Sequence, residues 1–253
     1  MLLGGITRRS PADIAAMRRA GRVVAEMHSR TREALRPGIT TGDLDRIGRE
    51  VLAERGATSN FLGVAGTYPA VICASPNEVV VHGIPGDRVL EEGDIVSVDC
   101  GAVVDGWHGD AAYTAGVGAI SAEAQRLIDV TEASLAAAIE QMVAGRHLGD
   151  VGHAVQEVVE RAGFHVVDGY TGHGIGRAMH EDPAVPNWGQ PGRGPKLKVG
   201  NVLAIEPMVA VGTPETDTLP DDWTVVTVDG TWAAHAEHTV AITDDGPQIL
   251  TLP

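Results

Sequence analysis

The chain contains an internal repeat with an offset of 107 residues. Six residues of one helical segment recur unchanged in a second, in the pairs Gly38/Gly145, Gly42/Gly149, Asp43/Asp150, Glu50/Glu157, Val51/Val158 and Gly56/Gly163. At the same offset LEEGDIVSVD (90–99) aligns with LKVGNVLAIE (197–206), with the leucine and the glycine again identical. Such a repeat predicts two related halves that bury their apolar faces together. Since each half reads as helix, helix and strands, we predict an α+β fold with pseudo-twofold symmetry.

Helix and turn signals locate the elements of each half. Ser10 and Pro11 are typical of a helix start, and Pro37-Gly38 ends that helix. Periodicity predicts further helices at 42–55, 122–143 and 150–162, and strands at 70–73, 78–82, 94–104, 165–168, 201–211, 223–228 and 233–243. The dipeptides Asp105-Gly106 and Asp229-Gly230 favour hairpin turns. The 253 residues predict one domain, with a short extension at 1–9 and half-repeats at about 38–110 and 145–240.

Charge and composition narrow the classes of partner. The formal net charge is −15, and the chain has two cysteines, Cys73 and Cys100. A strongly acidic chain is a poor match for nucleic acid or an anionic membrane surface. Two cysteines provide neither a disulfide framework nor zinc-finger spacing. Because the sequence also lacks a membrane-length apolar run and a signal-peptide pattern, we expect a cytoplasmic protein without nucleic-acid or membrane partners.

The repeat aligns two carboxylates. Asp99 coincides with Glu206, and each follows an alternating strand that is otherwise apolar. A carboxylate in such a place is unfavourable unless it is paired or binds a metal ion. If Asp105-Gly106 is the centre of a hairpin turn, Asp99 lies opposite Ala112, and Asp110 is its diagonal neighbour about 7–8 Å away on the same face. Two such carboxylates repel each other unless a cation lies between them.

The second half supplies a matching pair, Glu206 and Glu237. Their separation exceeds that of the first pair by twenty residues, which fits an insertion around 212–223. His173 adds an imidazole from the glycine-rich stretch TGHGIGRAMHEDP. Four carboxylates and one imidazole balance the charge of two divalent cations, and these ligands suit Mn, Fe, Co or Zn. Two neighbouring ions of this kind are typical of hydrolytic chemistry.

Each of these residues alone has a simpler interpretation. Asp99 and Asp110 would be turn or edge residues, Glu237 a solvated strand residue, and His173 a hydrogen-bonded loop residue. The symmetric set as a whole favours the metal site. His108, close to Asp110 in the sequence, remains open between a supporting and a structural role. The other histidines outside the motifs are expected to be structural or surface residues: His28, His147, His153, His165, His235 and His238.

Five segments carry a resemblance to a known family. VVHGIP, DCGAVVDGWHGD, GHGIGRAMHEDP, LAIEPM and AEHTVAIT occur in the order found in type I methionine aminopeptidases, and the resemblance covers nearly the whole chain. It implies the pita-bread fold, in which two pseudo-symmetric halves form a curved antiparallel sheet covered by helices. It also implies a compact, bacterial-type enzyme that removes initiator methionine from nascent proteins whose second residue is small. Such an enzyme meets the ribosome transiently, and we expect a monomer.

The resemblance also implies roles for individual residues. Two divalent ions, Fe(II), Mn, Co or Zn, would be held by Asp99, Asp110, His173, Glu206 and Glu237. Glu206 would shuttle a proton, His82 would contact the substrate near the scissile amide nitrogen, and His180 would hydrogen-bond the scissile carbonyl oxygen. The side-chain pocket would be lined by Tyr68, Cys73, Met179 and Trp223.

The chain departs from the family pattern in one loop. FLGVAGTYP (61–69) has Val64-Ala65 where the family commonly has Tyr-His, with one extra residue. This loop is expected to border the pocket. Two other functions are alternatives to this one. The first is a proline-specific pita-bread peptidase such as prolidase or aminopeptidase P, and the second is a non-catalytic binding module. The former usually carries an additional N-terminal domain, and the latter typically loses ligands and often has a basic surface, so the methionine aminopeptidase is preferred.

Overall fold

Helices and antiparallel strands alternate along the chain in the computed structural model, which describes residues 6–253. The helices are α1 (Pro11–Ala34), α2 (Thr41–Arg55), α3 (Ala122–Glu140) and α4 (Leu148–Arg161), with a short 3-10 turn at Val64–Gly66. The strands are β1 (Ile72–Pro76), β2 (Val79–Val81), β3 (Ile95–Val104), β4 (Trp107–Gly116), β5 (His165–Val166), β6 (Thr171–Gly174), β7 (Glu181–Pro186), β8 (Val202–Ile205), β9 (Met208–Ala210), β10 (Thr216–Thr218), β11 (Val225–Thr227), β12 (Ala233–His235), β13 (His238–Thr243) and β14 (Gly246–Ile249). Residues 1–5 of the expected extension lie outside the described residues.

The helix starts follow from local capping. Ser10 accepts a hydrogen bond from the Asp13 amide, and Asp13 accepts one in return from the Ser10 amide. Thr40 and Asp43 form the same reciprocal pair at the start of α2. These pairs satisfy amide donors that a helix cannot satisfy internally. All four helices were predicted from the sequence; α3 ends three residues before its predicted end.

The repeat is visible in the backbone hydrogen bonds. The Gly38 amide donates to the Leu90 carbonyl, and 107 residues later the Gly145 amide donates to the Leu197 carbonyl. Both glycines have a positive φ, 92° and 98°, which disfavours other residues. Three more bonds recur at this offset: Leu90 to Ile39 and Leu197 to Arg146, Thr41 to Arg88 and Leu148 to Pro195, and Gly42 to Gly86 and Gly149 to Arg193. The same local structure is therefore built twice.

Two larger sheets carry the centre of the molecule. One has the strand order β1-β3-β4, and the other β14-β13-β8-β6-β7. Two further three-stranded sheets, built from shorter strands, have the orders β10-β11-β2 and β12-β9-β5. The predicted turn at Asp105-Gly106 joins β3 and β4, with Asp99 opposite Ala112 and Asp110 opposite Gly101. Asp99 and Asp110 are diagonal neighbours on one face, as predicted.

The two halves are joined along β4. The Ala112 and Glu237 backbones exchange two hydrogen bonds, of 3.3 and 2.9 Å. On one side of this pair Thr239 Oγ1 donates to the Asp110 carbonyl and accepts from the Asp110 amide, at 2.8 and 3.1 Å. On the other side Thr114 Oγ1 bonds the carbonyl and amide of His235, at 2.8 and 2.9 Å. Threonine hydroxyls thus extend a ladder that the backbone begins.

Each half has its own apolar core. One core packs α1 and α2 on the β1-β3-β4 sheet and includes the even-numbered β3 residues 96–102. The other packs α3 and α4 on strands of the second half. The odd-numbered β3 residues therefore face away from α1 and α2, toward the second half. Within residues 6–253 no helix has the length and apolar character needed to cross a lipid bilayer.

Several predicted strands differ from the observed ones. The predicted strand 201–211 breaks at Glu206-Pro207, because proline has no amide to continue the ladder. The predicted strand 233–243 breaks between His235 and His238. Asp229-Gly230 forms a turn but no hairpin, since β11 pairs with β10 and β2 whereas β12 pairs with β9. Strands β6, β7, β10 and β14 were not predicted, because they are short and lack alternation.

Candidate active site

Five predicted ligands converge between the two halves. Asp99 and Asp110 lie within the continuous strands β3 and β4, and His173 lies within β6. Glu206 and Glu237 instead occupy the two strand breaks. Donor atoms of Asp110, His173 and Glu237 all lie within 4.8 Å of one another. Strand pairing across the halves thus places residues from distant parts of the sequence at one point.

His173 is oriented by its own backbone surroundings. Its Nδ1 lies 2.9 Å from the Gly174 carbonyl oxygen and donates to it, since a carbonyl only accepts. The lone pair of Nε2 is then free, and Nε2 lies 3.4 Å from Glu206 and 3.9 Å from Asp110. The flanking glycines are required by close strand approach, because a Cβ on Gly172 would overlap the Ala204 carbonyl.

Three of the four carboxylates have an oxygen without a hydrogen-bond partner, and the fourth, Glu206, lies beside His173 and His235. Asp110 and Glu237 are each 2% exposed, and one buried oxygen of Asp99, of Asp110 and of Glu237 has no hydrogen-bond partner. Burial and then the charge of neighbouring carboxylates raise the pKa of Asp110 and Glu237 well above the ordinary range. Burial also raises the pKa of Asp99 and of Glu206 to about 7. Buried, mutually repelling oxygens beside a free imidazole nitrogen fit divalent metal ions.

His235 also belongs to this cluster, although the sequence analysis expected it to be structural. Its Nε2 is buried, has no hydrogen-bond partner and lies 3.6 Å from Glu206 Oε2. Its ligand atom lies within 4.8 Å of those of Glu206 and Glu237. His235 is two residues before Glu237, a spacing that keeps side chains on one face of a strand, and this signal could have identified it.

A cavity of about 160 Å³ opens beside Asp99. All four predicted pocket residues line it, and so do two histidines and two residues of the loop. Beside Asp99, the lining residues are Tyr68, Cys73, Met179, Trp223, His82, His180, Phe61 and Val64. Tyr68 and Trp223 pack edge to face with ring centres 4.9 Å apart. The hydroxyl of Tyr68 donates to the Ile72 carbonyl, so the polar end of this side chain is satisfied away from the cavity.

The unusual loop does border this cavity, as expected. Val64 lines it, and the next residue, Ala65, has a φ of 50° between two glycines that are also left-handed, Gly63 and Gly66. Thr67 Oγ1 accepts a hydrogen bond from the indole N–H of Trp223 at 3.1 Å, which ties the loop to the opposite wall. The apolar lining suits an unbranched apolar side chain.

Two histidines lie between the cavity and the carboxylates. The ring centre of His180 is 4.4 Å from that of His173. His82 has a left-handed backbone with a φ of 59°, and its ring lies 6.3 Å from the Trp223 ring. Burial lowers the pKa of both imidazoles, to about 4 for His82, so both are neutral near pH 7. Neutral imidazoles in this position can each donate one hydrogen bond.

The remaining histidines divide between site and scaffold. His108 is two residues before Asp110 in β4, on the face of the strand that points to the site, and its Nδ1 is buried without a hydrogen-bond partner. Burial is the main cause that lowers the pKa of His180, and the nearby His108 is the second. It therefore lies beside the site. His28 is buried and hydrogen-bonds the Ala111 carbonyl, and His238 contacts Thr251 Oγ1, so these two are structural, as predicted.

Comparison with known proteins identifies the family. Residues 15–244 match Metallopeptidase family M24. The chain belongs to this family. A methionine aminopeptidase of Clostridium acetobutylicum is 54% identical to it over 245 residues, which span 96% of this chain and 98% of that protein. Membership of the M24 metallopeptidases implies divalent metal binding, and the cluster contains candidate ligand residues.

Solved structures of M24 relatives agree with the observed fold. Methionine aminopeptidase from Thermotoga maritima superimposes with a TM-score of 0.96 at 44% identity, over 98% of this chain and 100% of that one. The prolidase from Pyrococcus furiosus gives a TM-score of 0.79 at 19% identity, over 97% of this chain and 65% of that one, a likeness of fold alone. The predicted pita-bread fold with two pseudo-symmetric halves is therefore confirmed.

Proposed function

We propose that this M24 metallopeptidase is a methionine aminopeptidase, which hydrolyses the first peptide bond of proteins that begin with methionine. The observation that carries the proposal is the apolar cavity that opens directly onto Asp99 of the carboxylate cluster. An unbranched thioether side chain in this cavity would bring the adjacent amide bond toward the cluster. The relatives with high identity are named methionine aminopeptidases, which supports the same activity.

Two divalent ions, Fe(II), Mn, Co or Zn, are proposed at Asp99, Asp110, His173, Glu206 and Glu237. Ions at these ligands would polarise the scissile carbonyl and lower the pKa of water. The orphaned oxygens of Asp99, Asp110 and Glu237 support this ligand set, since each lacks a protein partner. His235 lies beside Glu206 and is proposed to fix that carboxylate.

Proton transfer is assigned to Glu206. Its carboxylate lies 3.4 Å from His173 Nε2, within the cluster where the attacking water would be activated. We propose that it accepts a proton from the attacking water and delivers it to the departing amine. His180, neutral and 4.4 Å from His173 between ring centres, is proposed to donate to the developing oxyanion. His82, on the cavity wall, is proposed to hydrogen-bond the scissile amide nitrogen region.

The biological setting follows from the proposed substrate. N-terminal methionine is first available on nascent chains, so we propose a cytoplasmic monomer that meets the ribosome transiently. Small second residues are the expected preference. Residues 1–253 are proposed to act as one catalytic domain, because both halves contribute ligands to one site.

Neither alternative function has a specific observation in its favour. The likeness to prolidase extends to the fold alone. A non-catalytic module would have no need of unpartnered buried carboxylates, which are unfavourable without a cation.

The decisive experiment measures hydrolysis of Met-Ala-Ser, Ala-Pro and Leu-Gly-Gly by chelator-stripped protein to which Mn, Co, Fe(II) or Zn is returned. Metal-dependent release of methionine from the first peptide alone is expected. Asp99→Ala and His180→Ala are expected to lose this turnover.

Cleavage of Ala-Pro instead would assign the chain to the proline-specific peptidases. The proposal would be wrong if no metal supported release of methionine, or if both variants kept the turnover of the wild type.

A further inference from the structure

Asn60 is a buried polar residue for which the proposed mechanism has no use. It is 8% exposed, and both its Oδ1 and its Nδ2 are buried without a hydrogen-bond partner. A buried amide without a hydrogen-bond partner is unfavourable. It precedes the loop that borders the cavity, and no motif of the sequence analysis included it. A residue in this condition requires an explanation.

The side chain of Asn60 lies over Gly101 of β3. A Cβ built on Gly101 would overlap Asn60 Oδ1 and lie 2.6 Å from Nδ2. The amide group therefore fills the space that a side chain at position 101 would occupy. Because residues two apart share a face of a strand, this space is on the same face as Asp99. Even-numbered β3 residues such as Cys100 face the helices instead.

The same placement brings the amide beside Asp110. Gly101 and Asp110 are direct partners in the β3–β4 pair. The Cβ positions of such partners lie about 4.5–5.5 Å apart, and a carboxylate extends two bonds beyond its Cβ. The amide of Asn60 thus lies on the same face as the Asp110 carboxylate, and since the two make no direct hydrogen bond, one water molecule between them would connect them.

One carboxylate oxygen of Asp110 has no hydrogen-bond donor within the protein. Its Oδ2 is the atom nearest His173, at 3.9 Å, whereas its Oδ1 is buried without a partner. A carboxylate oxygen accepts, and the amide nitrogen of Asn60 donates. Two unsatisfied groups of complementary chemistry therefore lie on one face of the sheet.

We propose that Asn60 is a positioning residue that holds Asp110, through Nδ2, in the orientation needed to bind metal. The inference rests on the proposed metal site. It also explains Gly101, since any larger residue there would displace the amide. Donors that orient a ligating carboxylate strengthen metal binding, and their removal weakens it by about 10–100-fold.

The test is a titration of chelator-stripped protein with Co(II), followed by visible absorption and calorimetry. Asn60→Ala and Asn60→Leu remove the donor, and the second also fills the space. Both are expected to weaken Co(II) binding by about 10–100-fold and to change the Co(II) spectrum. Asn60→Ser differs from Asn60→Ala by one hydroxyl donor and is expected to recover part of the affinity.

Asn201→Ala is the matched control. Asn201 is a buried asparagine that hydrogen-bonds the backbone of residues 6, 7 and 198, away from the cluster. Its loss is expected to lower the unfolding temperature while the Co(II) affinity stays the same.

The role of Asn60 would be overturned if Asn60→Ala or Asn60→Leu folded and bound Co(II) within twofold of the wild-type affinity. Equal Co(II) affinities of Asn60→Ala and Asn60→Ser would also overturn it. A third outcome would also overturn the proposal: Asn60→Ala and Asn60→Leu both fail to fold, while Asn60→Ser folds and binds Co(II) as tightly as the wild type. Asn60 would then serve the stability of the fold. Absence of Co(II) binding by the wild type would instead refute the proposed metal site.

Discussion

At the scale of single residues, the carboxylate cluster opposes the stability of the metal-free protein. Asp110 and Glu237 are buried at 2% exposure each, and burial followed by neighbouring negative charge raises the pKa of both. Neither has an ion pair with arginine or lysine among the described residues. Side chains that serve metal binding are thus unfavourable for folding until metal arrives.

Asp110→Asn should separate these two effects. The amide keeps the size of the side chain but cannot ionise, so the metal-free variant is expected to be about 1–3 kcal/mol more stable at pH 8. Urea unfolding in chelator measures this gain. The same variant is expected to lose turnover and to bind Co(II) more weakly. Lower stability than the wild type in chelator would contradict the expected repulsion.

Residue-level prediction succeeded where a repeat or a strand register supplied information. Asp99 and Asp110 could be placed on one face because a two-residue turn sets the register of the strands on either side. His235 was expected to be structural, although its spacing of two residues from Glu237 would place both side chains on one face of a strand. Asn60 could not be identified from the sequence, since only the fold shows that its amide fills the space beside Gly101.

At the scale of elements, the breaks in the strands position the second ligand pair. Glu206 precedes Pro207, whose missing amide ends β8, and Glu237 lies between β12 and β13. Asn187 donates to the Glu206 carbonyl at 3.0 Å and satisfies it outside the ladder. Such breaks were not predicted, because apolar residues continue on both sides and a pattern of alternation does not register a lost hydrogen bond.

Thr239→Val tests whether the junction between the halves positions Asp110. Valine has the shape of threonine but loses both hydrogen bonds to the Asp110 backbone. We expect a loss of about 1–3 kcal/mol in the free energy of unfolding. Co(II) affinity should fall by about tenfold, because the backbone that carries Asp110 becomes less restrained.

Thr243→Val is the control for this variant. Thr243 lies at the end of the same strand and hydrogen-bonds the Gly246 carbonyl in a turn. Its replacement should leave Co(II) affinity unchanged. Equal effects of the two variants on metal binding would show that the junction has no special role.

At the scale of the whole molecule, helices and symmetry were predictable and the joining of sheets was not. Caps and periodicity are local, so all four helices were found near their observed bounds. The repeat predicted two related halves because the glycines at 38 and 145 serve the same turn. Pairing between β4 and residues 235–239 depends on contacts more than a hundred residues apart in sequence, which no local pattern encodes.

The carboxylate cluster should lower the stability of the metal-free protein as the pH rises from about 5 to about 7. Burial raises the folded-state pKa to about 7 for Asp99 and for Glu206, against ordinary values of 3.8 and 4.5, and burial followed by neighbouring negative charge raises it well above the ordinary range for Asp110 and Glu237. The folded state therefore retains protons that the unfolded state has lost, and stability decreases as pH rises through the folded pKa values. A loss of about 1–3 kcal/mol is expected.

The buried histidines act in the opposite direction over part of this window. Burial lowers the pKa of His28 to about 3 and that of His82 to about 4. Their contribution to stability therefore increases as the pH rises to their ordinary pKa of 6.5, and it is constant above that pH. Urea unfolding at pH 5, 6 and 7, in chelator and in saturating Mn(II), gives the carboxylate contribution as the difference between the two conditions. A slope that is the same with and without metal would contradict the assignment.

The spread of the ligands along the chain has a consequence for the order of events during synthesis. Asp99, the first of them, is made 138 residues before Glu237, the last. The ladder that brings Glu237 beside Asp110 also requires Thr239, so the complete set of ligands does not exist while the ribosome is still reading the first half. A newly made chain must therefore dock its two halves before the proposed metal site is complete, and this cannot happen before residues 237–239 have been made.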